Sequence, residues 1–261
     1  MIIKEIISEL EKLFPKKNAE DWDNVGLLVG SVEDEIKGVV ITLDVDEKSI
    51  EKAILEGANL IIAHHPMIFT GIKNIDFKNP ISRKIKMLIK NDINVYCMHT
   101  NIDSTLGGLN DYIVKKLGIE ASKVLAPSMD KVNGIGRYYK LGKEFTIDEY
   151  CKFVKNRLGL EEMSLYSKDK HKKCGKVAFV NGSGAEFWKK AKFYSCDLLI
   201  TGDAKYHTVY DALESGISIL DLGHYESEKE FMELMQEILK SISPDFVVYK
   251  NYCKELKAML Y

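Results

Sequence analysis

The chain has 261 residues, 46% hydrophobic and 29% charged, enough apolar material for one large α/β unit or two lobes. Its 37 basic residues nearly cancel 39 acidic ones, leaving a formal net charge of −2, which argues against nucleic acid as a partner. No apolar run approaches the roughly 18 residues of a membrane span, MIIKEIISELEKLF lacks the apolar core of a signal peptide, and the five cysteines have no framework spacing, so reduced thiols and a cytoplasmic location are expected.

Ile3, Ile6, Ile7, Leu10, Leu13 and Phe14 recur at helical spacing and predict a first helix that stops before Pro15. An acidic loop, AEDWDNVGLLVG, then leads to a short apolar run. GVVITLDVD predicts a buried strand over Val39–Leu43 that ends at Asp44 and Asp46, and EKSIEKAILEG a helix that stops at Gly57. Leu60–Ala63 is a second strand, ISRKIKMLIKND a helix, Ile93–His99 a third strand, and LNDYIVKKLG a helix closing at Gly118. This alternation predicts a mostly parallel sheet covered by helices. Beyond Met129 the pattern loosens. RYYKL and EEMSLYS read as strands, with the helix TIDEYCKFVKNRLG between them. That helix opens with Thr146 and Glu149 in capping-box register and stops at Gly159. KDKHKKCG reads as a solvated turn, and KVAFVNGSG as a strand running into a Gly-Ser-Gly loop. The helices AEFWKKAKFYS, YHTVYDALESG and SEKEFMELMQEILKSI alternate with the strands CDLLITGDA and ISILDLG. Proline and glycine cluster in APSMDKVNG, which predicts lobes of residues 1–128 and 129–261.

The stretch ANLIIAHHPMIF ends a buried run in two adjacent imidazoles. In open parallel sheets, sites form beyond the carboxyl ends of strands. His64 and His65 leave one strand there, Asp103 lies just past another, and His224 and Glu228 lie past a third, where a helix begins. Adjacent histidines diverge and suit two ions rather than one. His224 and Glu228, at i and i+4, share a helix face, and Asp103 has two oxygens with which to bridge. Such a set suits a pair of divalent ions, roughly 3.5–4 Å apart, of Zn, Fe, Mn, Co or Ni. Taken singly the motifs are weak: a His-His pair also caps helices or bonds carbonyls, and HxxxE recurs on solvated helix faces. Convergence carries the reading, because four of the six histidines (His64, His65, His99, His224) fall at strand exits. His99 is expected behind the ligands or facing substrate, and His207 as a substrate contact, an orienting group or a cap. Both are candidate catalytic proton carriers; His171, in a charge run, is expected in solvent. Asp44 is placed to orient a ligating histidine and Asp46 to cap the following helix. Gly182, Ser183 and Gly184 form either a tight turn or a phosphate cradle. ANLIIAHH also echoes CDLLITGD, through duplication or through the pattern β-α-β units share.

The stretches WDNVGLLVG, LIIAHHPMIF, HTNIDSTLGGLND and GHYESE together resemble the Ngg-interacting-factor-three-like family, whose members carry the name GTP cyclohydrolase type 2 homologue. The resemblance runs from Asp21 to the final helix. It implies a two-lobed α/β fold, with mostly parallel sheets flanked by helices and a dinuclear metal site in the cleft between lobes. The ligand positions it implies are His64, His65, Asp103, His224 and Glu228, the same five that spacing reaches. It sets Asp23 and Asn24 near the metals and implies two divalent ions per chain in a ring-shaped homohexamer. The large extra domain that some relatives carry between the halves is missing here. The expected function is metal-dependent hydrolysis of a small molecule: a cyclic amidine in a nucleotide, a phosphoester or an amide. The alternative is a non-catalytic metal-binding or partner-binding assembly.

Overall fold

Three short runs, Val39–Thr42, Leu60–Ala63 and Asn94–Cys97, are buried at every residue. Strands with no solvated face belong in parallel sheets covered on both sides. They pair in parallel in the computed structural model, which describes residues 1–252. The chain divides into two units: Met1–Ile102 with the chain from Phe231 on, and Asp103–Glu230. In order, its elements are α1 (Ile3–Leu13), β1 (Gly26–Val29), β2 (Val39–Thr42), α2 (Glu47–Leu55), β3 (Leu60–Ala63), α3 (Pro80–Lys90), β4 (Asn94–Cys97) and α4 (Thr100–Ser104). There follow α5 (Leu109–Lys116), β5 (Lys123–Pro127), β6 (Gly134–Thr146), α6 (Ile147–Leu158), β7 (Ser164–Tyr166), β8 (Lys173–Ser183) and α7 (Trp188–Phe193). The rest are β9 (Leu198–Gly202), α8 (Tyr206–Glu214), β10 (Ser218–Asp221), α9 (His224–Glu228), α10 (Phe231–Ile242) and β11 (Val248–Asn251).

The first unit holds a sheet of order β1-β4-β3-β2-β11, parallel except for β1. Thr42 lies opposite Ala63, and Ala63 opposite Cys97. Asp44, His65 and His99 therefore each follow the same level of the sheet by two residues. Gly26 pairs with Cys97 in antiparallel sense, so the loop carrying Asp23 enters β1 from that same end. Asp46 starts α2: its Oδ1 accepts the Ser49 N–H at 2.7 Å while Ser49 Oγ accepts the Asp46 N–H at 3.0 Å, a reciprocal cap.

The second unit holds a sheet of order β5-β6-β8-β9-β10-β7. Its centre, β8-β9-β10, is parallel, and its outer pairings are antiparallel. This sheet is mixed rather than mostly parallel. Thr146 Oγ1 accepts the Glu149 N–H at 3.2 Å and Glu149 accepts the Thr146 N–H at 2.7 Å, so the capping box forms. Arg137, fully buried in β6, is braced at Nε and Nη2 by the two Asp111 oxygens and by the carbonyls of Gly134, Gly136 and Thr105.

The division expected at residues 128 and 129 falls elsewhere. β5 pairs with β6, so the Pro- and Gly-bearing stretch between them turns within the second sheet. The chain crosses between units inside α4 and returns after Glu230, because β11 pairs with β2. The continuous final helix expected from Ser227 to Ile242 is two helices, α9 and α10. The expected solvated turn KDKHKKCG already enters β8 at Lys173, which buries Cys174; His171 is exposed. Cys97, Cys151, Cys174 and Cys196 are all buried, and burial pushes the thiols of Cys151, Cys174 and Cys196 up to about 12. No helix among the described residues is long and apolar enough to cross a membrane.

Candidate metal centre

In the first unit, the strand exits bring His64, His65 and His99 together, with one ring nitrogen of each within 4.8 Å of the others. Each ring is held from behind. His64 is fully buried, and its Nδ1 lies 2.8 Å from the Met98 carbonyl. A carbonyl only accepts, so Nδ1 carries the proton and the lone pair is on Nε2. Phe231, also fully buried, packs against this ring at 4.9 Å between centroids. His65 Nδ1 lies 3.0 Å from Asp44 Oδ1, and His99 Nδ1 lies 2.9 Å from Asp23 Oδ1. Asp23 also accepts the Thr100 N–H at 3.0 Å and the Thr100 hydroxyl. Burial, the largest single influence, would raise the Asp23 carboxyl. The hydrogen bonds from His99 and Thr100 outweigh it and hold the group at about 2.

In the second unit, α9 starts directly after β10. His224 Nε2 and Glu228 Oε2, one helical turn apart, lie 3.0 Å from each other. Two donors ~2.0–2.2 Å from a single ion lie about 2.8–3.6 Å apart at octahedral or tetrahedral angles, so this pair suits a shared cation. His224 Nδ1 lies 2.7 Å from Asp203 Oδ2. Glu228 and Asp103 are both buried, and Asn181 Nδ2 reaches an oxygen of each, at 3.4 Å and 2.9 Å. Imidazoles fixed through Nδ1 by an acceptor, with Nε2 left to ligate, are the usual dress of metal-binding histidines.

The family described as Duf34/NIF3 (NGG1p interacting factor 3) matches this chain over residues 1–252. The chain belongs to this family. A Clostridium perfringens protein named GTP cyclohydrolase 1 type 2 homolog is 42% identical, across 96% of this chain and 97% of its own length. Reduced HcgD from Methanocaldococcus jannaschii is 30% identical, with a TM-score of 0.82 over 96% of this chain and 97% of that one. A hypothetical protein from Staphylococcus aureus is 26% identical and superposes with a TM-score of 0.90 over 99% of both chains. The mixed α/β fold, with two sheets flanked by helices, is thus that of the NIF3 proteins.

The remaining predicted residues sort by contact in this NIF3 chain. Asn24 donates from Nδ2 to the Ile68 carbonyl at 2.6 Å, which ties the loop before β1 to the segment after His65. His207 is exposed at the start of α8, its ring edge-on to Tyr206. Gly182, Ser183 and Gly184 lie where β8 gives way to the next turn. Gly182 and Ser183 end a strand, and the backbone donors of Gly182 and Gly184 are committed to Ser227 Oγ and Thr201 Oγ1, both at 2.9 Å. Sequence reading missed Asp203, Asn181 and Phe231. Asp203 left one signal: the echo between ANLIIAHH and CDLLITGD sets it opposite His65. Its φ of 53° is a left-handed conformation that Asp tolerates better than most residues.

Proposed function

We propose that the chain is a metal-dependent hydrolase with two divalent ions held by His64, His65, Asp103, His224 and Glu228. One observation supports this most: His64, His65 and His224 each set Nδ1 against an acceptor, which leaves Nε2 to ligate. The mixed nitrogen and oxygen donors fit Zn, Fe, Mn, Co or Ni. Five protein donors shared by two ions leave positions for water and substrate, the mark of a catalytic rather than a structural site. Bound divalent ions would lower the pKa of coordinated water and offset charge developing on an attacked phosphoryl or amidine group.

His99 is the residue placed to move a proton. Asp23, ionised down to about pH 2, fixes the imidazole through Nδ1 and stabilises it when Nε2 takes up a proton. His207 is exposed and has Tyr206, not an acid, against its ring, which makes it the weaker candidate. The names of the relatives put a guanine nucleotide among the substrates to try, beside phosphoesters, cyclic nucleotides and small amides. The ring-shaped homohexamer belongs to the same reading.

Metal analysis of protein purified without chelator should give close to two ions per chain; one ion or none ends the dinuclear reading. In a crystal loaded with Mn, His64 and His224 should ligate the same pair of ions. Hydrolysis of the screened substrates with Mn or Zn should be lost in Glu228→Ala and Asp103→Ala. Activity indifferent to both substitutions refutes catalysis by this centre. Two bound ions without turnover of any substrate favour the non-catalytic assembly. Light scattering should give a mass near that of six chains.

A further inference from the structure

The stretch that ends β8 bears on the carboxylates of α4 and α9. Asn181, only 7% exposed, directs one side-chain nitrogen at two carboxylates carried by different helices: Asp103 Oδ1 at 2.9 Å and Glu228 Oε1 at 3.4 Å. The opposite oxygen of Glu228, Oε2, is the one 3.0 Å from His224 Nε2. The amide is itself anchored. Its backbone N–H donates to Asn110 Oδ1 at 3.2 Å, and Asn110 Nδ2 donates to the Asp103 carbonyl at 3.1 Å. At Gly182 a Cβ would stand 2.2 Å from Glu228 Oε1, on a backbone with φ of +61°. Only glycine leaves that carboxylate its seat.

We propose that Asn181 is a positioning residue of the metal centre, holding Asp103 and Glu228 so that each ligates through a single oxygen, Oδ2 and Oε2, in place of a bridge through both oxygens of Asp103. Gly182 keeps the space this needs. The proposal rests on the metal-binding reading above. An amide nitrogen only donates, so it engages one oxygen of each carboxylate and partly offsets the repulsion of two acids brought side by side. Single-oxygen ligation suits compact ions with four to six donors, such as Zn, Mn or Co. It disfavours Ca²⁺, whose shell of six to eight oxygens draws on bidentate carboxylates.

The test uses the full chain freed of metal, titrated with Co²⁺ by visible absorption and with Ca²⁺ in competition. Wild type should bind Co²⁺ and resist Ca²⁺. Asn181→Leu, of similar volume but with no donor, should bind Co²⁺ about 10–100-fold more weakly, with a shifted absorption band and a smaller preference over Ca²⁺. A residue of merely structural importance would lower the melting temperature without moving the band or the preference. Wild type that takes up no Co²⁺ overturns the metal-binding reading itself. Wild type that binds, beside an Asn181→Leu protein with the same affinity and spectrum, overturns the role of Asn181 alone. Should the variant not fold, a Co-loaded crystal of the wild type decides. Asn181 bonded to one oxygen of each acid, with the other oxygen on cobalt, upholds the proposal. Bidentate carboxylates, or an amide turned away, overturn it.

Discussion

Asp23→Asn removes one charge while keeping the shape of a side chain that is fully enclosed. In the folded protein its carboxyl stands at about 2 against 3.8 for the unperturbed group, because the donors of His99 and Thr100 together outweigh burial. A tenfold change in proton affinity is worth ~1.4 kcal/mol, so the ionised form contributes about 2 kcal/mol to folding. The folded value lies below the unfolded one, so the unfolded chain takes up its proton first as pH falls. The contribution is therefore whole above about pH 4 and is lost as pH drops through about 2; near pH 3 about half remains. Urea unfolding of metal-free wild type and Asp23→Asn, followed from pH 7 to pH 3, reads this directly as a difference in midpoint times slope. Wild type should be more stable by about 2 kcal/mol at pH 7, narrowing to about 1 kcal/mol at pH 3. A gap that stays constant over that range, or a carboxyl NMR signal for Asp23 that titrates near pH 4, refutes the reasoning.

Asp111→Asn strips the counter-charge from the buried Arg137 guanidinium and should cost about 3 kcal/mol in urea unfolding; a loss under about 1 kcal/mol means the carbonyls of Gly134, Gly136 and Thr105 suffice. Asp203→Ala removes the acceptor behind the far nitrogen of His224, so Co²⁺ affinity should fall about 10-fold or more while the far-UV circular dichroism is kept; unchanged affinity would show that His224 needs no anchor. Thr146→Ala removes the oxygen that caps α6 and should lower stability by about 1 kcal/mol, and an unchanged urea midpoint would count against the cap. The four described cysteines are buried, so a thiol reagent at pH 8 should react with at most one of the five in the native protein (Cys253 lies outside the described residues) and with all five in guanidinium; rapid native reaction of two or more contradicts that burial.

The histidines were legible because apolar runs announce their own ends. LIIA stops, and whatever follows stands at the carboxyl edge of a parallel strand. The anchors behind them were legible only in part. Asp44 was readable as a histidine partner, since it leaves β2 as His65 leaves β3, and the register then sets both two residues past the same level. Asp203, after β9, looked like an ordinary turn acid. Asn181 was hidden for another reason: Asn-Gly-Ser-Gly after a buried strand reads as turn chemistry, and only the approach of Glu228 to Gly182 shows what the glycine makes room for. The break between α9 and α10 was also invisible, because Ser227–Ile242 keeps helical spacing throughout and carries neither proline nor glycine. That break falls where the chain leaves the second unit.

The echo between ANLIIAHH and CDLLITGD takes on a chemical meaning once the partners are known. Where the first stretch sets His65, a ring held by Asp44, the second sets Asp203, an acid that holds His224. Equivalent strand exits thus carry a ligand-type residue in one unit and the anchor of such a residue in the other. Exchanging His65 for Asp and Asp203 for His should therefore not reproduce the wild-type Co²⁺ spectrum. Position 65 would then set an acid against Asp44 and position 203 an imidazole against His224, so neither unit would keep an imidazole fixed through Nδ1 by an acid.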